Sequence, residues 1–319
     1  MRALLLFFLL LPISLRAANL APGAQELVVS DGTRLHLVVG GAGPPCIFIH
    51  GGPGQGFASF RQLRGASLES LATMIYLDQR GSGHSGSALD YHLSRLEADI
   101  DEVRRHFGLP KVCLVAHSFG GIIAVNYAAH HPDRVFALVL VNALLQFRGP
   151  SIQRMQIDYA NGLLGTHIAP DSRDGPDALK KAHLAARDAL MKSGYGYRFL
   201  TDDPASLQKL IQADDSYARN HDFGQAVIDR PEEFSEYYRD HALLSQEVRT
   251  PTLIIAGTRD HAVGPEEHMR FRFSCAQVQQ IDGGHLLYFE ASRLFQGAVQ
   301  SFLAQRQTPA QRSIREVRC

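Results

Sequence analysis

Short apolar runs and amphipathic stretches take turns along the first half of the chain. Four runs have the length and composition of buried strands: residues 46–50, 73–78, 112–116 and 135–143. Three stretches between them have the apolar spacing of helices: residues 60–71, 93–107 and 122–131. Strands that alternate with helices predict right-handed crossovers and a mostly parallel sheet, so the fold class is α/β. Two β-type runs within residues 26–41 predict an antiparallel hairpin at one edge.

The alternation stops between residues 144 and 246, where the pattern is helical and no run resembles a buried strand. Strand-like runs return at residues 251–257 and 276–281, and a closing helix follows. We therefore expect a core made of residues 19–143 and 247–306. Residues 144–246 are expected to be inserted as a helical cap over the crevice at the carboxyl ends of the strands. The polar residues 307–319 are expected to form a flexible tail.

The candidate chemistry is concentrated in residues 111–121, KVCLVAHSFGG. An apolar strand turns here into a helix, with Ser118 at the apex and small residues two positions away on either side. This pattern is typical of a nucleophile elbow, in which bulky Cβ atoms would clash in the sharp turn. The motif reads A-x-S-x-G, because Ala116 replaces the first glycine. The alternative is an ordinary strand, turn and helix that happens to carry a serine.

A serine hydroxyl is a weak nucleophile unless a base removes its proton and an acid orients that base. Asp260 follows the predicted strand at residues 251–257, and His285 follows the one at residues 276–281. Both therefore fall at the same edge of the sheet as Ser118, in the chain order Ser, Asp, His. We predict Ser118 as the nucleophile, His285 as the general base and Asp260 as the acid that orients it.

Other residues compete for these roles. His261 is the nearest alternative base, but it lies too close in sequence to the predicted acid to bridge it to the nucleophile. Asp282 is the alternative acid, and His117 is expected to point away from the base although it adjoins the nucleophile. The predicted acid and base have a simpler alternative themselves, as turn or helix-capping residues.

The tetrahedral intermediate of acyl transfer needs two backbone N–H donors for its oxyanion. One is expected from Phe119, at the start of the helix after the elbow. The other is expected from the loop HGGPG, residues 50–54, whose glycines let the backbone approach a substrate. Gly52 is the favoured donor and Gly51 the alternative. A nucleotide-binding glycine loop fits less well, because Pro53 removes a donor and the next helix does not begin where such a loop requires it.

Composition and charge exclude some classes of function. The chain has 32 basic and 32 acidic side chains, so its formal net charge is zero and no nucleic-acid partner is expected. No residues have metal-ligand spacing, and neither a metal nor a cofactor is expected. Residues 1–18 combine a basic start, an apolar run and a small-residue end. They predict a cleaved signal peptide and export, rather than a membrane anchor, because the run is short and Pro12 interrupts it.

The loop HGGPG and the stretch YLDQRGSGHS at residues 76–85, together with the elbow, resemble the prolyl iminopeptidase family of the α/β-hydrolase superfamily. The resemblance covers residues 25–305. It implies the α/β-hydrolase fold and a serine exopeptidase that releases N-terminal proline from short peptides. It also implies that acidic cap residues bind the amino terminus of the substrate. The candidates for those acids are Glu232, Glu233 and Glu236, with Asp214 and Asp215 as further ones.

The sequence departs from that family in its tryptophan positions. It contains no tryptophan, and Phe119 stands where the family typically has one, so residues 116–121 are closer to general hydrolases. An esterase, lactonase or amidase that acts on small acyl substrates is therefore the alternative, and a non-catalytic binding protein of the same fold is a further one. Epoxide hydrolases and dehalogenases of this fold use Asp as nucleophile, so Ser118 argues against both.

Overall fold

The computed structural model describes residues 20–217 and 219–305, which are built around an eight-stranded sheet. The strands are β1 (Gly23–Val28), β2 (Arg34–Gly40), β3 (Pro45–Ile49), β4 (Thr73–Leu77), β5 (Val112–His117), β6 (Val135–Val141), β7 (Thr252–Gly257) and β8 (Ala276–Ile281). Their order across the sheet is β1-β2-β4-β3-β5-β6-β7-β8. The β1-β2 hairpin is antiparallel and β2 pairs antiparallel with β4, whereas all pairs from β4 to β8 are parallel. The predicted α/β fold, with an antiparallel hairpin at the edge of a mostly parallel sheet, is confirmed.

Helices cover both faces of this sheet. The α-helices are α1 (Ala58–Gln62), α2 (Leu93–His106), α3 (Gly120–His130), α4 (Pro150–Leu164), α5 (Ala178–Lys192), α6 (Pro204–Asp215), α7 (Asp222–Asp229), α8 (Leu287–Glu290) and α9 (Ser292–Ala304). Shorter 3₁₀ turns lie at Gly65–Ser70, Pro132–Arg134, Ser172–Asp177, Gly196–Phe199, Ser235–Tyr238, Leu244–Gln246 and Glu267–Arg270. The helix predicted over residues 60–71 is wrong, because the chain turns at Arg64, whose φ is 77°. Gly65 then packs so closely on Phe60 that a Cβ would lie 2.4 Å from its ring.

The central strands are buried on both faces, as their unbroken apolar runs predict. One face packs against α2, through Ile100 and Val103. The other packs against α1 and α9, through Phe60, Phe295 and Val299. Because the strands from β3 to β8 are parallel wherever they pair, their carboxyl ends share one edge of the sheet, which we call the rim.

The connection from β6 to β7 contains α4 to α7, and we call its residues 144–246 the helical segment. Among its described residues the structure assigns no strand, apart from an isolated bridge between Asn220 and Gly83. Helices α4 and α5 pack side by side over a small apolar core of their own: Ile157, Ala160, Ala182, Ala186, Leu190 and Phe199. This core holds α4 and α5 against each other.

Two predicted regions lie outside the described residues, the signal peptide at residues 1–18 and the tail at residues 307–319. Within residues 20–217 and 219–305, no helix has the length and apolar character that crossing a bilayer requires.

Candidate active site

Ser118 lies in the turn between β5 and α3. Its backbone has a φ of 54°, in the left-handed region that residues with a side chain rarely adopt. Its N–H donates to the carbonyl of Val141 in the neighbouring strand at 3.1 Å, which holds the turn against the sheet. The following turn needs Gly120, because a Cβ there would lie 2.4 Å from the carbonyl oxygen of Ile49. The chain is thus forced into a sharp bend that lifts the serine above the rim.

Side chains from three strand ends meet beside this bend. The Oγ of Ser118 lies 3.0 Å from Nε2 of His285, and Nδ1 of His285 lies 2.9 Å from Oδ2 of Asp260. The other carboxylate oxygen, Oδ1, accepts the N–H groups of Ala262 at 2.9 Å and Val263 at 3.0 Å. Because an ionised carboxylate can only accept, His285 carries its proton on Nδ1 and turns an unprotonated Nε2 towards the hydroxyl of Ser118.

Asp260 is almost completely buried, yet it stays ionised. Burial by itself would raise the pKa of Asp260, but the His285 imidazole and the N–H groups of Val263 and Ala262 outweigh burial and lower the pKa. The negative charge is therefore available to stabilise a positive charge on the imidazole, should His285 accept a second proton.

The alternative base and acid lie elsewhere. The ring of His261 stacks on that of Tyr159, with the two centroids 3.8 Å apart. Asp282 is exposed and forms an ion pair with Arg259 at 2.7 Å. Within the described residues, neither forms a hydrogen bond with Ser118.

The prediction that His117 points away from the base is wrong. The ring centroids of His117 and His285 are 4.7 Å apart, and Nε2 of His117 lies 3.1 Å from the carbonyl oxygen of His285. His117 ends β5, and the loop before α8 passes over the end of that strand, so the ring is enclosed. Burial and the nearby His285 lower the pKa of His117 to about 3, so the ring is neutral and its N–H donates to the carbonyl.

Asn142, directly after β6, is a second supporting residue that sequence reasoning missed. Its Nδ2 donates to the carbonyls of Gly284 at 2.9 Å and His285 at 3.1 Å, and its Oδ1 accepts the N–H of Gly257 at 2.7 Å. One side chain therefore ties the loop that carries the base to the strand that precedes the acid. The available signal was a polar residue at the end of a long apolar strand.

Both predicted oxyanion donors border Ser118. Phe119 follows Ser118 directly and precedes the first residue of α3, and Gly52 lines the same cavities as Ser118. Among the described residues, neither of the two N–H groups donates to a protein acceptor. Both are therefore free to bind an oxyanion.

His50 orients the Gly52 donor. Its Nε2 accepts the N–H of Gln79 at 3.1 Å, and its Nδ1 lies 2.9 Å from the carbonyl oxygen of Gly51 and 3.2 Å from the backbone nitrogen of Gly56. That carbonyl and the N–H of Gly52 belong to one planar trans peptide and point in opposite directions. Fixing the carbonyl therefore fixes the direction of the N–H.

Two cavities meet at Ser118. The larger has a volume of about 410 Å³ and extends under the helical segment, where Ile152 and Phe199 form part of its wall. The smaller has a volume of about 150 Å³ and reaches the ring of Tyr288. Ser118 and His285 line both cavities, so the two parts of a substrate on either side of a scissile bond have separate spaces.

The structure does not bring the three predicted amine-binding acids to Ser118. Glu233 is exposed and pairs with an arginine of the same turn at 2.7 Å. Glu236 accepts the backbone N–H of Leu93 at 3.2 Å, at the start of α2. Glu232 lines an outer cavity of about 380 Å³, and none of the three lines either cavity that holds the serine.

The two further acidic candidates lie on α6. Asp214 accepts from Nε2 of Gln55 at 3.0 Å and pairs with Arg219 at 3.0 Å, so its charge is already matched. Asp215 is exposed. Gln55 lines the smaller cavity, so Asp214 contacts a residue of that cavity without lining the cavity itself.

Sequence reasoning also missed Arg148 and Arg187, which line the larger cavity together with Gln156 and His183. These residues come from the loop after β6, from α4 and from α5. Only the packing of the two helices shows that they face the serine.

Comparison with known proteins agrees with this fold. The model of a family described as alpha/beta hydrolase fold matches residues 44–292. A stretch of 101 residues is 39% identical to the proline iminopeptidase of Neisseria gonorrhoeae, covering 31% of this chain and 32% of that protein. The chain thus matches about a third of the length of that curated relative.

Solved structures share the fold at low sequence identity. The proline iminopeptidase-related protein of Thermus thermophilus superimposes with a TM-score of 0.70 at 22% identity, covering 88% of this chain and 97% of that one. The enol-lactonase of Burkholderia xenovorans has a TM-score of 0.64 at 20% identity, covering 88% of this chain and 100% of that one. The chain belongs to the α/β-hydrolase family, and within it resembles the prolyl iminopeptidases.

Proposed function

We propose that this protein is a serine hydrolase that cleaves carboxylic esters or amides through an acyl-enzyme. Nε2 of His285 takes the proton of Ser118 as its Oγ attacks the acyl carbon, and Asp260 stabilises the resulting imidazolium. The N–H groups of Gly52 and Phe119 bind the oxyanion of the tetrahedral intermediate. His285 then gives its proton to the leaving oxygen or nitrogen, which departs and leaves the acyl group on the serine.

Water completes the reaction in the second half. A water molecule occupies the position of the departed group, and His285 takes one of its protons as the water oxygen attacks the acyl carbon. When the intermediate collapses, the proton passes to Oγ of Ser118 and the free acid leaves. One ester or amide bond and one water are consumed, and the enzyme returns to its starting state.

One observation carries this proposal: the continuous chain of contacts from Ser118 through His285 to Asp260, at 3.0 and 2.9 Å. A single hydrogen bond between a serine and a histidine is common in proteins. A buried carboxylate that fixes the tautomer of that histidine, beside two unpaired backbone donors, has the parts that acyl transfer needs.

We also propose that the helical segment is the cap expected from the sequence. Ile152 and Phe199 of this segment line the cavity that contains Ser118. A substrate bound there would be partly enclosed by α4 and α5, which supports a role for the segment in choosing the substrate and limiting access of water.

A carboxylic ester is the favoured substrate class, and release of N-terminal proline is the second candidate. The second is supported by the match to the proline iminopeptidase of Neisseria gonorrhoeae. The first is supported by the cavity itself. Among the described residues, no acidic side chain that could bind an amino terminus lines either cavity at Ser118.

Labelling with a fluorophosphonate probe tests the nucleophile. We expect the wild-type protein to be labelled and the Ser118→Ala variant to remain unlabelled. Ser70→Ala is the matched control, because Ser70 is exposed and lines neither cavity at Ser118; its hydroxyl donates to the carbonyl of Ser67 and accepts from Nε2 of Gln296. Equal labelling of wild type and Ser118→Ala would overturn the assignment.

Turnover of a p-nitrophenyl ester and of a proline arylamide separates the two substrate classes. Hydrolysis of the ester with no release of proline supports the ester hydrolase. Rapid proline release would support the peptidase instead. Loss of the ester activity in Ser118→Ala is expected to be on the order of 10³-fold or more.

A further inference from the structure

The larger cavity beside Ser118 carries two cationic side chains and no anionic one. Arg148 contributes from the loop after β6, and Arg187 contributes from α5. Within residues 20–217 and 219–305, no aspartate or glutamate lines this cavity, and neither arginine forms an ion pair. Arg148 is half-buried and Arg187 is exposed, and a partly buried charge is costly unless an opposite charge meets it. The missing counter-ion is therefore informative.

Arg187 is held in place by neutral partners. Its Nη1 donates to Oε1 of Gln156 at 2.9 Å, and its guanidinium lies 4.9 Å from the ring centroid of Phe199. The same amide oxygen accepts from Nε2 of His183 at 2.7 Å, and the amide nitrogen donates to the carbonyl of Ala262 at 2.7 Å. The bond to Gln156 uses one donor of the guanidinium, and its other donors have no protein acceptor among the described residues. The side chain is exposed and lines the larger cavity.

Arg148 reaches the same cavity from a strained backbone. Its φ is 51°, in the left-handed region that a residue with a side chain rarely adopts. The guanidinium lies 5.2 Å from the ring centroid of Phe147, which also lines the cavity. Strain of this kind persists where the surroundings fix the position of a side chain.

The electrostatics agree with an uncompensated positive site. Burial lowers the pKa of Arg187, and repulsion from Arg148 lowers it further. Burial lowers the pKa of His183 to about 4, with Arg187 and Arg148 adding to the effect. Among the groups that act on Arg187 there is no carboxylate. His183 is thus kept neutral by burial and by the two cations, which leaves them as the charges of the site.

We infer that the substrate carries a carboxylate that binds between Arg148 and Arg187 while its ester carbonyl lies at Ser118. This inference rests on the proposed hydrolase function and names its substrate class: esters with a second, ionised acid group. A guanidinium presents paired donors that match the two oxygens of a carboxylate, so two of them can orient such a group as well as attract it.

The outer cavity, next to the larger one, also carries positive side chains. It is lined by Glu232, but also by Lys180 and by Arg148. Arg148, His183 and Ile228 line both the outer cavity and the larger cavity, so they lie between the glutamate and the serine. An ammonium group at Ser118 would share the larger cavity with the two arginines, and no acid of the described residues lines that cavity.

Three esters that share a leaving group and a similar chain length test the inference. They are p-nitrophenyl adipate with its free carboxylate, the methyl ester of that compound, and p-nitrophenyl ε-aminocaproate. We expect kcat/KM for the carboxylate ester to exceed that of the neutral ester by about tenfold or more, because a charged hydrogen bond contributes at least that factor. The amine ester is expected to be the poorest of the three.

Variants then assign the preference to the arginines. Arg187→Gln and Arg148→Gln should each reduce the ratio of kcat/KM for the carboxylate ester to that for the neutral ester by about tenfold. Arg154→Gln is the matched control, because Arg154 is exposed on α4 and lies outside the cavity, and it should leave the ratio unchanged. Binding of adipate to Ser118→Ala, measured by calorimetry, gives a readout without turnover and should weaken when Arg187→Gln is added.

The outcomes distinguish the carboxylate site from the hydrolase function. Equal turnover of the carboxylate and neutral esters, or a ratio that stays the same in both arginine variants, would overturn the carboxylate site and leave the serine hydrolase intact. Preference for the amine ester would overturn it in favour of an amine-binding site. Failure of all three esters, together with no fluorophosphonate labelling, would overturn the hydrolase proposal itself, and adipate binding to Ser118→Ala would then decide the carboxylate site alone.

Discussion

The rim of the sheet and the helical segment above it differ in how their charged side chains are paired. At the rim, Asp260 is met by His285 and by two backbone N–H groups, so its charge is fully matched inside the protein. In the helical segment, Arg187 is bonded only to the neutral Gln156, and no carboxylate meets it among the described residues. A charge that the protein itself neutralises serves a reaction step that is the same for every substrate. A charge without a partner in the protein can instead select a substrate that supplies the opposite charge.

The rim should show the largest effect of a single change. Asp260→Asn is expected to lower kcat/KM for a neutral ester by on the order of 10³ to 10⁴-fold. The asparagine oxygen should stay with the N–H groups of Ala262 and Val263, which turns the NH₂ group towards Nδ1 of His285. The imidazole would then be held in the wrong tautomer, with its proton on the side of Ser118.

Steady-state kinetics on the purified variant provide this measurement, with thermal unfolding as the check on folding. A loss smaller than tenfold in a folded variant would show that the rim does not depend on this carboxylate. The contrast between matched and unmatched charge would then have no catalytic meaning.

A carboxylate placed in the helical segment should give the next largest effect. Ile228 is 40% exposed and lines both cavities that Arg148 lines, so Ile228→Glu would supply the missing counter-ion at little structural cost. The preference for a carboxylate ester over its neutral twin should fall by roughly tenfold. Ile211→Glu is the matched control, since Ile211 is 46% exposed on α6 and lines neither cavity.

The ratio of the two kcat/KM values is the quantity to measure, at low and at high salt. The effect of Ile228→Glu should shrink as salt screens the new pair. The same loss of preference in Ile211→Glu would point to a general charge effect and would remove the reason for separating the two regions.

The enclosed ring of His117 predicts how the rim responds to acid. Folding lowers its pKa to about 3 from an ordinary value of 6.5. Below pH 6.5 the unfolded chain therefore binds a proton at this ring, and the folded chain does not. Stability is therefore complete above pH 6.5 and is lost as the pH falls towards 3. Between pH 6.5 and 5.5 this one ring should cost about 1 kcal/mol of the free energy of unfolding.

Urea unfolding at several pH values measures this loss. His117→Gln retains a donor for the carbonyl of His285 and has no group that titrates in this range, so its stability should depend less on pH by about one proton. An unchanged pH dependence would mean that the ring is protonated in the folded protein. The rim would then hold an unmatched charge of its own, contrary to its contrast with the helical segment.

How far the sequence predicts each region follows from the same contrast. Ser118, Asp260 and His285 each follow a strand, and parallel strands bring their carboxyl ends to one edge, so the topology alone predicts that they lie close together. No such rule fixes the helical segment. Arg148 and Arg187 come from a loop and a helix that are far apart in sequence, and only the packing of α4 on α5 turns them to one cavity.

The same limit explains the misplaced details. The surroundings of the His117 ring depend on where the loop before α8 crosses the end of β5, and no local sequence pattern encodes that position. The helix predicted over residues 60–71 was broken by the close packing of Gly65 on Phe60. Apolar periodicity therefore predicted the sheet well, whereas contacts between elements distant in sequence decided the finer placement of polar side chains.

Glu236 provides the smallest expected effect and the sharpest check on the location of the substrate site. Its carboxylate accepts the N–H of Leu93 at the start of α2, so Glu236→Gln should lower the free energy of unfolding by about 0.5–1 kcal/mol through a weaker interaction with that helix end. It should leave KM unchanged for the ester and for a proline arylamide, because the residue lines neither cavity at Ser118. If KM for the arylamide rises instead, while stability stays the same, the amine-binding role expected from the family resemblance holds. The helical segment would then supply its charge to the substrate from an acid, and the two arginines would need another partner.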